Sequence, residues 1–335
     1  MSTTYLGMSL RSPLVASAGP LSQTVDGVRE LADTGLGAVV LYSLFAEQVR
    51  AQAERDALLE ELSADSFPEA TSYFPAVAEP DDPARAYLSL VERAASAVEI
   101  PVVASLNASA SGEWVGFARR QADAGASALE LNIYLVPGDV TLTGADVEER
   151  HLEIVAAVRQ AVSIPVAVKL SPFFSSTGNV ALRVVEAGAD GLVLFNRFLQ
   201  PSVDVERLAV LPGVTLYSAA DARVPRTWIA ALRHRTQASL AATSGVETAA
   251  DVVAYLLAGA DVVMTTSALV RHGAGYAATL LAGLEEWTTR KGFGSVADFR
   301  GLLALPATQD AGAEARAGYV AALEKAKATY GSLRP

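Results

Sequence analysis

Apolar runs of strand length recur along this chain, and several begin just after a small residue, a glycine and one further residue. The phrase occurs as Thr34-Gly35-Leu36-Gly37 leading into Ala38-Val39-Val40-Leu41-Tyr42-Ser43. It returns as Ala124-Gly125-Ala126 before Leu129-Glu130-Leu131-Asn132, and as Ala187-Gly188-Ala189-Asp190 before Val193-Leu194-Phe195-Asn196. A fourth copy runs from Ala258-Gly259-Ala260-Asp261 to Met264-Thr265-Thr266-Ser267. Glycine suits the end of a helix because its backbone enters the left-handed region without a Cβ penalty. A second phrase interleaves with the first. Glu99-Ile100-Pro101-Val102-Val103-Ala104-Ser105-Leu106-Asn107 parallels Ser163-Ile164-Pro165-Val166-Ala167-Val168-Lys169-Leu170-Ser171. Proline is tolerated at a first strand position, where its missing donor falls outside the ladder. The two phrases repeat together at a spacing of about 64 residues (101 to 165, 132 to 196), the pattern of a duplicated βαβα unit.

With the apolar pieces Pro13–Ala18 and Ala238–Thr243 added, eight strands alternate with helical patterns. They lie near 13–18, 38–43, 101–106, 128–133, 165–170, 191–196, 238–243 and 262–267. Eight such units predict an α/β fold of the closed (β/α)8 kind, the TIM barrel. A doubly wound open sheet would carry a Gly-rich turn after its first strand. No G-x-G-x-x-G follows any strand here, and Gly35-Leu36-Gly37 precedes one. The barrel is expected to be a single domain over 1–335, with 283–335 a helical extension that covers the barrel or joins an oligomer. Three connections exceed the usual few residues: 44–84, with an amphipathic helix from Phe45 to Leu62 and the stretch Ser72-Tyr73-Phe74-Pro75; 134–148; and 197–237, with a strand-like piece Val214–Ser218. All leave from carboxyl ends of strands, where barrel enzymes place substrate lids.

Composition narrows the chemistry. The chain has 335 residues and no cysteine, so disulfides, thiolate metal sites and a cysteine nucleophile are excluded. Its net charge of −11, with scattered acidic residues, argues against a nucleic-acid partner. Residues 1–10 lack a basic segment followed by an apolar run, and apolar runs elsewhere are far shorter than a membrane span, so a cytoplasmic protein is expected.

Polar residues cap the apolar strands: Ser17, Tyr42 and Ser43, Asn107, Asn132, Lys169, Asn196, Thr243 and Ser244, Thr266 and Ser267. Down the barrel axis they would form one ring around one mouth. A single Ser or Thr there marks only where a strand meets water. Asn132, Asn196 and Lys169 follow long apolar runs, and a buried polar group needs a partner that a ligand can supply. Lys169 is open to two readings: an ion pair with a carboxylate such as Glu130, or a fixed cation facing electron-rich ligand atoms. Thr243-Ser244-Gly245-Val246-Glu247-Thr248 ends strand seven, with Thr248 and Asp251 forming a capping box, and Thr266-Ser267-Ala268-Leu269 opens a helix after strand eight. Hydroxyls and helix-start amides there suit a phosphate. His151, His234 and His272 lie far apart without carboxylates at ligand spacing, so solvated or capping roles and no metal are expected. No G-x-S-x-G or H-E-x-x-H occurs.

Taken together, Ser12-Pro13-Leu14-Val15-Ala16-Ser17-Ala18-Gly19-Pro20, Leu131-Asn132, Val168-Lys169-Leu170-Ser171-Pro172, Phe195-Asn196, Thr243-Ser244-Gly245 and Thr266-Ser267-Ala268-Leu269 resemble the dihydroorotate dehydrogenase family of FMN-dependent barrels, closest to its soluble class 1 type. The resemblance covers the chain to about Leu281. It implies FMN as cofactor, with Ser17, Ala18, Tyr42, Ser43, Asn107, Asn132, Lys169 and Phe195 around the ring end. Ser218, Thr243, Ser244, Gly245, Thr266 and Ser267 would surround the phosphate end. Ser72, Asn132, Asn196 and Arg197 would contact a small substrate. An oxidoreductase acting on a CH–CH bond next to a carbonyl follows, of the kind that serves pyrimidine biosynthesis, as does the possibility of a homodimer.

The departures concern the substrate side. The family's strand-two lysine is Tyr42 here, its Cys or Ser base falls in Ile133-Tyr134-Leu135-Val136-Pro137, and its Asn-rich loop has become Thr71-Ser72-Tyr73-Phe74-Pro75. The Gly-rich segment before strand seven reads Tyr217-Ser218-Ala219-Ala220. Leu135 has no acid–base chemistry, which leaves Tyr134 as the candidate proton donor or acceptor. Dihydroorotate or a related small molecule would be the substrate, with a soluble or protein electron acceptor. Two other readings stand beside this one: a phosphate-binding lyase or aldolase using Lys169 as a Schiff-base amine, and a flavin-binding homologue that has lost turnover.

Overall fold

A computed structural model describes residues 1–45, 82–108, 113–133, 135, 139–196, 202–211, 216 and 218–330. The expected helix from Phe45 to Leu62 lies outside these residues except for Phe45, which ends a strand instead; the strand-like piece Val214–Ser218 in the main, and Ser72, Tyr134 and Arg197, also lie outside them.

Eight parallel strands close into one barrel. In chain order they are β3 (Leu14–Ala16), β4 (Ala38–Phe45), β5 (Val102–Ala108), β6 (Ala128–Ile133), β7 (Val166–Leu170), β8 (Gly191–Leu194), β11 (Ser239–Ala242) and β12 (Val262–Thr265). Each falls on a strand expected from the sequence, and β12 pairs with β3 to complete the ring. The TIM-barrel expectation holds. Helices α1 (Val25–Asp33), α2 (Pro83–Ala97), α3 (Glu113–Asp123), α4 (Gly144–Ala161), α5 (Thr177–Glu186), α6 (Arg223–Leu232) and α7 (Ala249–Ala258) follow successive strands. After β12 come a short α8 (Ser267–His272) and α9 (Tyr276–Lys291), which packs against α7. The glycine of the recurrent phrase does what its chemistry predicts: Gly259 ends α7 at φ +116, its N–H on the carbonyls of Tyr255 and Leu256, and Gly35, Gly125 and Gly188 also have positive φ.

Alternation along the strands separates two cores. Leu14, Val39, Leu129, Val168, Leu192 and Leu240 face outward and are buried under the helices. Val15, Ala38, Val40, Val103, Ala128, Ala167, Val193, Ala241, Val262 and Met264 fill the barrel, and many of them are small. The space they leave at the amino-terminal end is taken by an element not read from the sequence, a hairpin of β1 (Thr3–Tyr5) and β2 (Met8–Leu10). Tyr5, Leu6 and Leu10 join the inner core, and the Leu6 amide donates to Ser239 Oγ. Asp261 ties the same end to the helical layer, accepting from Arg233 Nη1 at 2.9 Å, Arg300 Nη1 at 2.6 Å and the Leu240 amide at 2.7 Å. A second hairpin, β9 (Ser202–Asp204) and β10 (Ala209–Leu211), stands in the long connection after β8. The C-terminal part is helical as expected: α9 begins at Tyr276, ahead of the expected boundary at 283, and α10 spans Ala311–Tyr330.

One irregularity aims the mouth of the barrel. Between Val40 and Ser43, β4 holds one residue more than β5 opposite it, since Val40 pairs with Val103 and Ser43 with Ser105. Such a bulge re-aims side chains and leaves backbone groups without ladder partners. Tyr87 of α2 supplies them. Its hydroxyl donates to the Ser105 carbonyl at 3.0 Å and accepts from the Ser105 amide at 2.8 Å. Beyond the bulge Ser43 points inward, where its Oγ lies 2.8 Å from Ser105 Oγ. Tyr42 points outward, its ring edge-on to Tyr87 at 5.0 Å.

His151 corrects an expectation. It is buried rather than solvated, with Nδ1 2.7 Å from the Val147 carbonyl, its ring edge-on to Phe174 and Nε2 without a partner among the described residues. Burial lowers its pKa from the usual 6.5. The denatured chain therefore takes up this proton first, and the folded state loses stability as pH falls below about 6.5 until the folded imidazole also titrates. In chemical denaturation from pH 7 to 5, His151→Leu should lose less stability than wild type. Equal pH slopes would remove this role. Tyr87→Phe, which strands the Ser105 N–H and C=O, should destabilise by about 1–3 kcal/mol in the same assay at pH 7.

Candidate functional site

In parallel sheets, residues paired across strands point to the same face. Phe45, Asn107, Asn132 and Lys169 pair successively across β4, β5, β6 and β7, so they form one inward row at the carboxyl end. Ser43, Ser105 and Glu130 form the row beneath. That row ends at Ala167, opposite Glu130, and the apolar inner core continues one layer lower with Val40, Val103 and Ala128. The switch from apolar to polar along each strand is what the strand-end residues announced.

The upper row, with Ser43 of the lower one, is the floor of a cavity of about 370 Å³, the size range of small-molecule sites. Of the residues expected around a cofactor, Ser17, Ala18, Ser43, Asn107, Asn132, Lys169, Phe195, Thr243, Ser244, Gly245, Thr266 and Ser267 line it, as does Asn196. The expectation for Tyr42 is not met: the bulge turns it into the outer layer against Tyr87. Ser218 is not in the lining either; it is exposed and caps a short 3-10 turn through Asp221, while its neighbour Leu216 reaches the cavity. Sequence reasoning did not single out Gly19, Leu216 or Val270, which also line it.

The floor is a connected polar network. Lys169 Nζ lies 3.2 Å from Glu130 Oε1, so the ion-pair reading of Lys169 is realised, and the same lysine still lines the cavity. The amide nitrogen of Asn132 lies 2.9 Å from Ser105 Oγ and 3.4 Å from both Ser43 Oγ and Glu130 Oε1. With the nitrogen so engaged, the Asn132 oxygen remains for an outside donor. The Lys169 ammonium has three N–H groups, of which Glu130 takes one. Burial of Glu130, which is 1% exposed, makes the network's geometry costly to disturb.

Across the cavity the backbone takes over. Ser244 and Gly245 are both left-handed, at φ +83 and +66. At Gly245 a Cβ would lie 2.6 Å from the Ser218 carbonyl and the Ala222 nitrogen, so only glycine fits. The buried Tyr255 hydroxyl holds the Thr243 and Ser244 carbonyls at 3.1 and 2.6 Å. In trans peptides the amides of Ser244 and Gly245 then point the opposite way. Next to them α8 starts at Ser267, where first-turn amides have no intrahelical acceptor. Thr265 Oγ1 on the Val246 carbonyl at 3.2 Å and Glu247 against Arg271 and His272 of α8 at 2.5 and 2.8 Å hold the two turns together, and Thr266 Oγ1 on the Ser17 carbonyl at 2.7 Å ties them to the end of β3. His272 therefore braces this turn. The cavity thus offers a cation and amide groups at its floor, and hydroxyls and helix-start amides at its far wall. That donor set suits a ligand with a polar ring at one end and an anion at the other.

Comparison with known proteins agrees with this geometry. A family model described as dihydroorotate dehydrogenase matches residues 82–287. A candidate dihydroorotate dehydrogenase A (fumarate) of Aeropyrum pernix is 32% identical over 213 residues, covering 60% of this chain and 67% of the relative. The dihydroorotate dehydrogenase A (fumarate) of Lactobacillus delbrueckii subsp. bulgaricus is 28% identical over 179 residues, 51% of this chain and 57% of the relative. The dihydroorotate dehydrogenase B (NAD(+)) catalytic subunit of Listeria welshimeri is 31% identical over 172 residues, 49% of this chain and 56% of the relative. The chain thus spans little more than half the length of the last two. With more than half of its residues matched by the family model, and with the polar rows of that match on the floor of one cavity, the chain belongs to the dihydroorotate dehydrogenase family.

Proposed function

We propose that the cavity binds FMN and that the protein is an FMN-dependent oxidoreductase acting on a CH–CH bond next to a carbonyl, in dihydroorotate or a related small molecule. The observation that carries this reading is the placement of Lys169 and Asn132 in one row, with the left-handed Ser244-Gly245 turn and the start of α8 across the same 370 Å³ cavity. FMN fits this donor set: a phosphate for the turn and helix start, hydroxyls for the ribityl chain, a planar polar ring for the floor. When bound, it would supply the hydride-accepting chemistry.

The chain's own residues would do the rest. Lys169, pinned by Glu130, would hold a fixed positive charge at the ring end. Asn132 would offer its amide oxygen, and Asn196 would meet the substrate. Tyr134, Ser72 and Arg197 are the candidates for proton transfer and substrate contact. A tyrosine is protonated near neutral pH, so Tyr134 would suit proton donation if the reaction runs in the reducing direction. The named acceptors of relatives, fumarate and NAD(+), suggest a soluble oxidant or a separate protein for the return of electrons. We propose further that the chain is one domain, and that it pairs as a homodimer. Among the described residues no helix is long and apolar enough to cross a membrane.

The lyase reading is less well supported. A Schiff-base lysine must present a free amine, whereas Lys169 is held against a buried carboxylate.

Purified protein should show an oxidised-flavin absorption band, at the latest after FMN is added, and should bleach anaerobically with dihydroorotate or a related compound. A colourless protein after FMN addition ends the proposal. Lys169→Ala would leave Glu130 buried without its counter-ion, at about 3–5 kcal/mol, so the turn at Gly245 is the probe that leaves this pair intact. Gly245→Ala should weaken FMN binding by about tenfold or more, the equivalent of one hydrogen bond to a charged group. Quenching of FMN fluorescence on titration measures it, and unchanged affinity would remove the turn from the site.

A further inference from the structure

The ion pair beneath the cavity has a form that stability alone does not call for. Glu130 points into the barrel one row below Asn132 and is 1% exposed. Its Oε1 accepts from Lys169 Nζ at 3.2 Å and lies 3.4 Å from the Asn132 amide nitrogen. Its Oε2 is buried without a hydrogen-bond partner among the described residues. A carboxylate buried for structure would have both oxygens satisfied, and apolar residues of similar volume would fill this space without the desolvation cost. The surrounding inner core of Val40, Val103, Ala128, Ala167 and Tyr5 is of that apolar kind. Glu130 instead leans on the two floor residues that face the cavity.

From this geometry we infer that Glu130 is a positioning residue that sets both the place and the strength of the charge Lys169 presents to the bound ring. Beneath it the Tyr5 hydroxyl is kept protonated by burial and by the Glu130 and Asp261 charges, so it adds no charge of its own. Two opposite charges 3.2 Å apart act at a distance as a dipole. With Lys169 on the cavity side, the ligand meets a tempered cation. Removing the negative end exposes the full positive charge in a site of low dielectric, where the difference is large. The one carboxylate oxygen shared with Asn132 also couples the orientation of the amide to the position of the ammonium, so both floor contacts move together.

The inference rests on the proposed flavin site, and its test separates the two. Glu130→Gln keeps the shape and an acceptor oxygen but removes the charge. In the FMN-loaded protein its affinity for sulfite should rise roughly tenfold, and the two-electron potential of the bound flavin by about 30 mV, the same tenfold in an equilibrium constant. Both are read spectrophotometrically and without turnover. A yellow Glu130→Gln protein with wild-type sulfite affinity and potential overturns the inference while leaving the flavin site standing. A wild-type protein that binds no FMN overturns both. Should Glu130→Gln fail to fold, Glu130→Asp keeps the charge and withdraws it from Lys169. Sulfite affinity should then rise in the same direction by a smaller factor, and no change there likewise overturns the role.

Discussion

A closed parallel barrel has no freedom to slip one strand against the next, because a shift of one residue would turn a whole strand inside out. That constraint organises everything at this site. Once β5, β6 and β7 are in register, Asn107, Asn132 and Lys169 must stand side by side, and Ser105 and Glu130 must stand below them. The Lys169–Glu130 pair then has a definite address, Lys169 in the cavity row and Glu130 one row below it. The apolar plug from the amino-terminal hairpin matters for the same reason. Tyr5, Leu6 and Leu10 close the opposite end, so the polar network is open on one side only.

The bulge in β4 breaks strict alternation among the described barrel strands, and it lies next to this network. Without it, Ser43 and Ser105 would not share a row, and Asn132 would lose one of the hydroxyls around its amide. The cost is a pair of backbone groups on Ser105 that no strand can reach. A single phenol from α2 meets both. The cavity end of the barrel is thus propped from outside, by a helix whose Tyr87 is not itself in the lining.

Much of this was legible in the sequence because it is local and periodic. Four Gly-containing helix ends and two Ile-Pro strand starts mark the units, and a polar residue two positions beyond an apolar inward residue marks the mouth. Position 151 was legible too, and was misread. Val147, His151, Ile154, Val155 and Val158 follow the spacing of a buried helical stripe, and all but Val147 are fully enclosed. The bulge was not legible, since an extra residue in a strand leaves no mark on composition, and Tyr42 and Ser43 read equally well as inward. The hairpin plug was missed because three-residue strands are too short to show a period. The coupling of Lys169 to Glu130 was visible only as an alternative. Thirty-nine residues separate the two positions, and the decisive fact is a cross-strand register that no local pattern contains.

That alternative proved to be a false choice. Ion pairing and a place at the cavity do not exclude each other, for Lys169 is held by Glu130 and still lines the cavity. A lone ammonium at the end of a four-carbon stem has many rotamers and pays entropy to hold any one of them. A carboxylate placed below it selects the rotamer in advance and leaves two N–H groups for whatever occupies the cavity. Preorganised charge of this kind acts without reorganising at the moment of reaction, which is where electrostatic stabilisation gains most over water. The same tether that makes Lys169 a poor amine nucleophile makes it a well-aimed cation, and that asymmetry favours a site that stabilises charge over one that does covalent chemistry on the lysine.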